Sequence, residues 1–377
     1  MNKRKNGEGS FGKKTIKGNT YYFYRDPELK YTYAKTMKEL QEKIKEKDKQ
    51  KKITRSKEIF ARYCEKWLRS RRGIISDGVY DDYESVINCR IATHDLGKMY
   101  PSEINIEILN IFLKELSEKY SKGSITKTWA VLRQVIAYGQ ENGRIQQFNI
   151  SKVVKPSEDN CKVKKKEIPF IDEYDMNMLY EEAYSGKYGN ASRIIVFIMY
   201  TGVRISEALA LKWKDIAPDM ASVMIRASVR RNIVRDKELN AVKENGVNVY
   251  EPVVKVTKSK DSNRTIPLPE RAREVIMFAY ANKTKDDDFV FVTAEGHPYN
   301  KRTVERTLQR MLKNSNCRRK DYTPHCLRHG YGSVLISKGV DIKIVSELLG
   351  HSDIAFTYNT YIGTLREDKI NAVKVFD

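Results

Sequence analysis

The chain has 377 residues, and its 70 Lys and Arg outnumber its 49 Asp and Glu to give a net charge of +21 at pH 7. A charge of this sign and size favours polyanionic partners, and the length allows two or three domains with their own cores. The five cysteines are scattered without metal-ligand spacing, which indicates reduced thiols and argues against a disulfide framework. No apolar run reaches the ~18–20 residues of a membrane span, and no apolar segment follows the basic N-terminus. The composition therefore predicts a soluble, intracellular protein that faces nucleic acid.

The first 57 residues hold much of the charge, with 18 Lys and Arg against 7 Asp and Glu. Aromatic and β-branched residues at 20–25 and 30–34 predict a hairpin, with a further strand near 14–17. Residues 36–39 have the form of a capping box, and an apolar stripe at helical spacing follows them. The pattern predicts a small basic sheet with one helix over residues 1–53, and a charged tail is the alternative.

Residues 54–150 show helical periodicity almost throughout. Four helices are predicted, around residues 59–67, 80–91, 104–116 and 125–138. Their aromatic and aliphatic positions are expected to form plain core, which leaves function to the basic outer faces. Residues 151–167 lose the periodicity and predict an extended basic linker, which is either a solvated tether or a segment that follows a phosphate backbone.

A mixed pattern of helices and strands follows the linker. Helices are predicted at residues 172–183 and 192–200, the second so apolar that it is expected to be buried. Residues 221–268 predict strands, with a second hairpin formed by residues 252–257 and 264–268. The polar stretch 230–251 is an insertion, either a ribbon that contacts DNA or another subunit, or a loop without fixed structure.

The turn after the second of these helices reads T-G-V-R-I-S-E and places Arg204 three residues before Glu207. On a helix the two side chains share one face. In one interpretation they form a surface ion pair worth under ~1 kcal/mol. In the other, Arg204 binds a phosphate oxygen and Glu207 orients Arg204.

The densest set of reactive side chains runs from His325 to Tyr361. Three of the chain's five histidines fall there, beside Arg328 and two tyrosines. Arg binds phosphate oxygens with a planar fork, His moves protons near neutral pH, and Tyr supplies an oxygen nucleophile. Two of the histidines are four residues apart, as in a zinc pair, but the arginine between them would repel a dication. The combination predicts attack on a phosphate.

The order H-x-x-R, then L-G-H, then Tyr resembles the C-terminal motif of tyrosine recombinases, the phage-type integrase family. The T-G-x-R-x-S-E turn at residues 201–207 is similar to the family's remaining signature. The resemblance is strong over residues 168–377 and extends to the N-terminal half by layout, which is most similar to integrases of conjugative transposons and temperate phages. It implies a site-specific DNA recombinase that cuts and rejoins DNA through a 3′-phosphotyrosine, and thereby integrates and excises a mobile element.

The resemblance also implies which residues act, without a cofactor and without a metal. The implied catalytic residues are Arg204, Lys258, His325, Arg328, His351 and Tyr361. Lys260 competes with Lys258 as the general acid. Tyr358 competes with Tyr361, but Tyr361 follows His351 by ten residues, within the family's nine or ten, whereas Tyr358 follows it by seven.

The implied fold is multidomain and mainly α with small β-sheets. Residues 1–53 form an arm-type DNA-binding domain, residues 54–150 a helical core-binding domain, residues 151–167 a basic linker, and residues 168–377 a mixed α+β catalytic domain. The implied partners are double-stranded DNA at crossover and arm sites, further copies of the chain in a dimer or tetramer, and a directionality or bending factor, with no membrane.

Two other functions share these features. A type IB topoisomerase uses the same chemistry but reseals its own strand, and a DNA-binding regulator would have lost catalysis. The sequence departs from the family at Gly330-Tyr331-Gly332, where Thr and bulkier apolar residues are usual, so this helix is expected to be less stiff.

Overall fold

The structure is a computed structural model. It describes the following residues: 10–16, 19–25, 31–54, 58–164, 169–238, 240–256, 263–281, 283–351 and 353–361, with side chains between 46 and 54 left aside. The chain divides into two compact units, residues 1–166 and residues 167–377. Helices dominate both units and the sheets are small, which confirms the predicted multidomain, mainly α fold class.

The first unit holds three strands and six α-helices among the described residues. They are β1 (Ser10–Ile16), β2 (Asn19–Arg25), β3 (Tyr31–Ala34), α1 (Met37–Thr54), α2 (Phe60–Ser70), α3 (Asp77–Val86), α4 (Asp95–Lys98), α5 (Ile106–Ser117) and α6 (Lys122–Glu141). A π-helical turn, Ile87–Ile91, extends α3. All four helices predicted between residues 54 and 150 are confirmed.

The strands form an antiparallel sheet in the order β1-β2-β3. Along β3, Thr32 and Ala34 are buried while Tyr31 and Tyr33 are exposed, since alternate residues of a strand face opposite sides. The exposed rings of Tyr31 and Tyr33 stack with centroids 5.9 Å apart. The predicted basic sheet is therefore present, and one of its faces is aromatic and open to solvent.

The helix after this sheet begins with the predicted capping box. Thr36 Oγ1 accepts a hydrogen bond from the backbone N–H of Glu39 at 3.2 Å. The Glu39 carboxylate accepts in turn from the backbone N–H of Lys35. These contacts satisfy N–H groups that the first turn of a helix leaves free.

Helices α2 to α6 pack around one apolar core, as their periodicity predicted. Phe60, Trp67 and Phe112 are at most 1% exposed and fill its centre. The guanidinium of Arg71 lies over the ring of Trp67, 5.4 Å from its centroid. The basic residue thus covers the edge of the aromatic core and leaves its charge at the surface.

The second unit holds six strands and seven α-helices among the described residues. They are α7 (Glu173–Ala183), α8 (Asn190–Thr201), α9 (Ile205–Ala208), β4 (Ser222–Ile225), β5 (Ala227–Ile233), β6 (Lys243–Glu244), β7 (Val247–Asn248), β8 (Tyr250–Val256), β9 (Arg264–Pro267), α10 (Glu270–Tyr280), α11 (Lys301–Asn314), α12 (Pro324–Ser337) and α13 (Ile342–Leu349). Residues 354–361 form a last helical segment.

Helix α8 lies in the core of the second unit. Its six residues from Ile194 to Met199 are all 0% exposed, which confirms the prediction that this apolar helix is buried. A helix that is apolar on every side needs neighbours all round it, and α7, α10, α11 and α12 supply them.

The strands of the second unit correct one prediction. Strand β4 pairs with β9 and β5 pairs with β8, so residues 252–257 do not form a hairpin with residues 264–268. Ile225 pairs with Arg264 and Ala227 pairs with Val256, so β4 and β5 follow each other directly in the chain but have different partner strands. Alternation in a sequence shows which side chains share a face, but it does not specify the partner strand.

The insertion at residues 230–251 forms a ribbon over its described residues. Strands β5 and β8 extend into it, and β6 and β7 form a small hairpin closed by Asn245 and Gly246. Both turn residues have positive φ, 50° and 77°, as the tight turns of hairpins require. The insertion therefore has strand structure over its described residues, and its contact with DNA or another subunit stays a prediction.

No described helix is both long and apolar enough to cross a membrane.

Candidate active site

Two glycine turns place the arginine and histidine candidates. Gly202 ends α8 with φ of 65°, and Arg204 follows as the residue that precedes α9. Gly350 ends α13 with φ of 64°, and His351 follows it. Left-handed backbone at these positions favours glycine because it lacks a Cβ. The T-G-x-R and L-G-H motifs are thus two helix ends, each followed by a candidate site residue.

Glu207 is a buried carboxylate that joins several arginines. Its Oε1 accepts from Arg204 Nη1 at 2.7 Å, and its Oε2 accepts from the Arg204 backbone N–H at 2.9 Å. Oε2 also accepts from Arg264 Nη2 at 2.8 Å and lies 4.0 Å from Arg328 Nη1. The Glu207 side chain is only 4% exposed. The surface ion pair considered for Arg204 and Glu207 is therefore excluded, and the orienting contact is present.

The protonation of Glu207 follows from these neighbours. Burial by itself raises the pKa of the carboxyl, but the hydrogen bond and charge of Arg264 and the charge of Arg204 outweigh burial and lower the pKa to about 2. Glu207 is therefore ionised at neutral pH. It supplies a fixed negative charge that lets the three guanidinium groups lie close together.

The C-terminal end of α13 provides the second anchor for the same arginines. Three successive carbonyl oxygens each accept from a different guanidinium. The pairs are Leu348 O with Arg264 Nε at 2.7 Å, Leu349 O with Arg328 Nη2, and Gly350 O with Arg204 Nη2 at 3.4 Å. The carbonyl end of a helix carries partial negative charge. The turn that presents His351 is therefore bonded directly to the arginine cluster.

Arg328 lies at the back of this cluster. Its side chain is 2% exposed, and its Nη1 donates to Gly202 O at 2.7 Å. Burial and the charge of Arg204 lower the pKa of Arg328 to about 9, so the guanidinium stays charged at neutral pH. Arg204 differs in that 41% of its side chain is exposed. Arg204 is therefore more open to solvent than Arg328.

All three histidines of this region are neutral at pH 7. Burial and the charge of Arg328 lower the pKa of His325 and bring that of His351 to about 3. Burial and the neighbouring His325 lower the pKa of His329 to about 4. The Nδ1 of His351 shares a hydrogen bond of 2.7 Å with Thr357 Oγ1. Neutral imidazoles can both donate and accept, so they can serve an anionic phosphate and a phenol proton.

The structure separates the two candidate tyrosines. Tyr361 is 1% exposed and packs with residues of α12 and α13, whereas Tyr358 is 48% exposed. The Tyr361 hydroxyl lies 3.4 Å from His329 Nδ1. Burial raises the pKa of Tyr361 to about 12, although the charge of Arg328 opposes this shift. At pH 7 the phenol is therefore protonated and needs a proton acceptor before it can react.

Close packing explains why glycine is needed at positions 330 and 332, where the sequence departs from the family pattern. A Cβ at Gly330 would lie 2.1 Å from Ile171 Cγ2, and a Cβ at Gly332 would lie 2.4 Å from the Tyr361 hydroxyl oxygen. Helix α12 nevertheless runs unbroken from Pro324 to Ser337. Gly332 therefore makes room for the tyrosine ring against α12.

The two lysine candidates, Lys258 and Lys260, lie outside the described residues. The described ends on either side of them are Val256 of β8 and Arg264 of β9. Among the described residues, no group of three or more His, Cys, Asp or Glu is arranged to hold a metal ion.

Sequence reasoning missed Arg264 and His329 as members of the site. Arg264 lies two residues before Ile266, which is 0% exposed, so strand alternation turns both side chains to the same buried face. A buried arginine needs a carboxylate or carbonyl partner, and this signal was available in the sequence. His329 follows Arg328 directly, and no pattern in the sequence shows that Tyr361 packs on it.

Comparison with known proteins agrees with this geometry. The sequence model of the phage integrase family matches residues 169–367, more than half of the chain. A tyrosine recombinase XerC-like protein of Caldanaerobacter subterraneus subsp. tengcongensis is 27% identical over 302 residues, which are 74% of this chain and 73% of the relative. Transposase A from transposon Tn554 of Staphylococcus aureus is 24% identical, over 56% of this chain and 53% of the relative.

Solved structures share the fold. The Tn1549 transposon integrase in complex with a circular intermediate DNA matches with a TM-score of 0.63 at 17% identity, over 84% of this chain and 99% of that chain. A λ integrase fragment, solved as a dimer bound to a COC′ core site, matches with a TM-score of 0.56 at 15% identity. The match covers 79% of this chain and 94% of that chain.

The class of protein follows from the fold, the site and these matches: the chain is a tyrosine-type site-specific DNA recombinase. It belongs to the phage integrase family. The family and the enzyme class predicted from the motifs are confirmed.

Proposed function

We propose that the chain integrates and excises a mobile DNA element, with Tyr361 as the nucleophile. The phenolic oxygen attacks a phosphodiester, the bond from phosphorus to the 5′-oxygen breaks, and a 3′-phosphotyrosine and a free 5′-hydroxyl result. A 5′-hydroxyl from a partner duplex then attacks the phosphotyrosine and releases Tyr361. Each step replaces one P–O bond by another, so the phosphodiester energy is conserved without ATP. The convergence of Arg204 and Arg328 on Glu207 carries the proposal.

The positive groups stabilise the charge that builds on the phosphorane. Arg204 has an exposed guanidinium held from behind by Glu207, which suits a bidentate contact to the non-bridging oxygens. Arg328 adds a buried charge, and His351 adds an N–H donor from the end of α13. Each such donor contributes about 3 kcal/mol to stabilisation of the transition state.

Two proton transfers complete the reaction. His325 is neutral because burial and Arg328 lower its pKa, so it can accept the phenol proton of Tyr361 or position the phosphate. Lys258 protonates the departing 5′-oxygen. A lysine among cationic neighbours loses its proton readily, which suits a general acid near neutral pH.

The test is covalent capture on a nicked DNA that carries an end of the element. Wild-type protein should become attached to the 3′ side of the cut, and the yield should be the same with and without a chelator, because cationic side chains occupy the place of a metal. A strict requirement for a divalent cation would contradict this mechanism.

The products of the same assay separate the alternative functions. Exchange of strands between two duplexes is the result expected of a recombinase. Resealing of the original strand without exchange would identify topoisomerase-like chemistry, and the absence of any adduct would favour a DNA-binding regulator.

The remaining parts of the chain are assigned to grip DNA in the cytosol, where the substrate lies. Residues 54–150 form a core-binding domain that grips one side of the duplex, and residues 151–167 connect it to residues 168–377. Self-association to a dimer or tetramer pairs the crossover sites, and a directionality or bending factor selects integration or excision.

Residues 1–53 are assigned to arm sites away from the crossover. The open face of the sheet supports this, because Tyr31 and Tyr33 stack there and Arg25 lies over the Tyr31 ring, 5.5 Å from its centroid. A basic sheet of this size can lie in a major groove.

Deletion of residues 1–57 tests the arm assignment. Crossover-site cleavage should persist, while binding to distal sites, which should weaken steeply with added salt in the full chain, should be lost. Equal binding of every site by the truncated and the full chain would refute the assignment.

A further inference from the structure

Arg264 is the most extensively bonded guanidinium of the arginine cluster. Its Nη2 and Nη1 donate to the two oxygens of Glu207 at 2.8 and 3.4 Å, and its Nε donates to Leu348 O at 2.7 Å. The side chain is 7% exposed. Each of its three nitrogens donates to a protein atom and the side chain is almost completely buried, so Arg264 holds protein groups and is not placed to contact DNA.

This arrangement differs from that of Arg204, which shares the same carboxylate. The Arg204 side chain is 41% exposed, and its Nη2 has only a long contact of 3.4 Å with Gly350 O. Glu207 therefore lies between a buried arginine, Arg264, and a partly exposed one, Arg204. If Arg264 were absent, Glu207 could turn with Arg204, and the guanidinium that faces the phosphate would lose its fixed direction.

Arg264 also fixes the turn that carries His351. A Cβ at Gly350 would lie 2.8 Å from Arg264 Nη1 and 3.1 Å from its Cζ, so the glycine backbone lies directly against the guanidinium. Together with the bond to Leu348 O, this contact holds the last turn of α13. His351 is the next residue after Gly350, so its position depends on the same side chain.

The position of Arg264 at the start of β9 also relates it to the lysine candidates. It is the first residue of β9 and pairs with Ile225, directly after the segment that holds Lys258 and Lys260. The Arg264 side chain thus contacts Glu207, which holds Arg204, and the end of α13, which precedes His351. The Arg264 backbone lies in the strand that follows the lysine candidates in the sequence.

We propose that Arg264 is a positioning residue for strand cleavage, which fixes Arg204 through Glu207 and fixes His351 through the end of α13. The inference deepens the proposed function and depends on it. Arg264 does not touch the phosphate. It acts through residues that do, so the part of its effect that passes through Glu207 should disappear once Arg204 has been removed.

A double-mutant cycle on covalent capture tests this dependence under single-turnover conditions. Arg264→Ala should slow attachment on the order of 10²-fold, as expected for a misdirected catalytic group. Arg204→Ala should slow it by about 10²–10³-fold. The double variant should be slowed by clearly less than the product of the two single effects, because the part that passes through Arg204 is already lost in Arg204→Ala and only the part through His351 remains. Full multiplication of the two single effects would overturn the proposal.

Arg264→Lys provides a second variant if the alanine variant does not fold. It keeps the positive charge but cannot bond Glu207 as a fork and Leu348 O at the same time, so it should be slowed nearly as much as Arg264→Ala. Restoration of the wild-type rate by lysine would show that charge alone is needed, and would overturn the positioning role.

Arg226→Ala is the matched control. Arg226 Nε donates to Asp215, a carboxylate as buried as Glu207, but Asp215 has no contact with Arg204 in the described part of the chain. Loss of Arg226 should therefore act independently, and its effect should multiply with that of Arg204→Ala. DNA affinity and the unfolding temperature of each variant exclude general damage. Wild-type protein that forms no adduct would refute the proposed function, whereas a wild-type rate in Arg264→Ala would refute only this inference.

Discussion

Replacing Tyr361 with Phe is expected to reduce covalent attachment to DNA to background while DNA binding is retained. The substitution removes the oxygen that attacks phosphorus and keeps the ring that packs against α12 and α13. The lost hydroxyl makes one long contact of 3.4 Å with His329, so folding should be little affected. The measurement is adduct yield on nicked DNA beside a binding titration on the intact site.

Tyr358→Phe is the matched control for this experiment. Tyr358 lies three residues earlier on the same helical segment, but it is 48% exposed. Attachment by this variant should proceed at nearly the wild-type rate. Loss of attachment in Tyr358→Phe together with normal attachment in Tyr361→Phe would reverse the assignment.

Replacing Lys258 with Ala is expected to slow cleavage of ordinary DNA by about 10²–10⁴-fold, the usual contribution of a general acid. A substrate with sulfur at the bridging 5′ position should restore the rate, because a thiolate leaves without being protonated. The measurement compares single-turnover cleavage of the oxygen and sulfur substrates by the same variant.

Lys260→Ala separates the two lysines. It should be slowed less on the oxygen substrate and should gain no selective advantage from sulfur. Selective rescue of Lys260→Ala, with none for Lys258→Ala, would move the general-acid role to Lys260.

Much of the fold follows from local patterns in the sequence. The apolar run at residues 192–200 predicted a buried helix, and Thr36 with Glu39 predicted a helix start; both are confirmed. These features depend on residues within one or two turns of each other, where spacing alone defines the contact.

Strand pairing was predicted less well, for a physical reason. Strands β8 and β9 are neighbours in the sequence, yet β8 pairs with β5 and β9 pairs with β4. Period-two alternation fixes the faces of a strand, and its partner depends on packing with distant segments.

In the site too, contacts between residues close in the sequence were predicted and contacts between distant residues were not. Arg204 and Glu207 were paired from their spacing of three residues, and their contact is present. Arg264 joins Glu207 across 57 residues and Leu348 across 84 residues, and its sequence neighbours indicate only that it faces inward. The fit of Tyr361 over Gly332 likewise depends on two helices that meet only in the folded chain.

The most direct test of the account is to identify the residue that becomes joined to DNA. Wild-type protein is trapped on a nicked substrate, digested with protease, and the peptide that carries the nucleotide is sequenced by mass spectrometry. We expect a 3′-phosphoryl nucleotide on Tyr361, the tyrosine that lies against α12. A nucleotide on Tyr358 or on any other residue would contradict it.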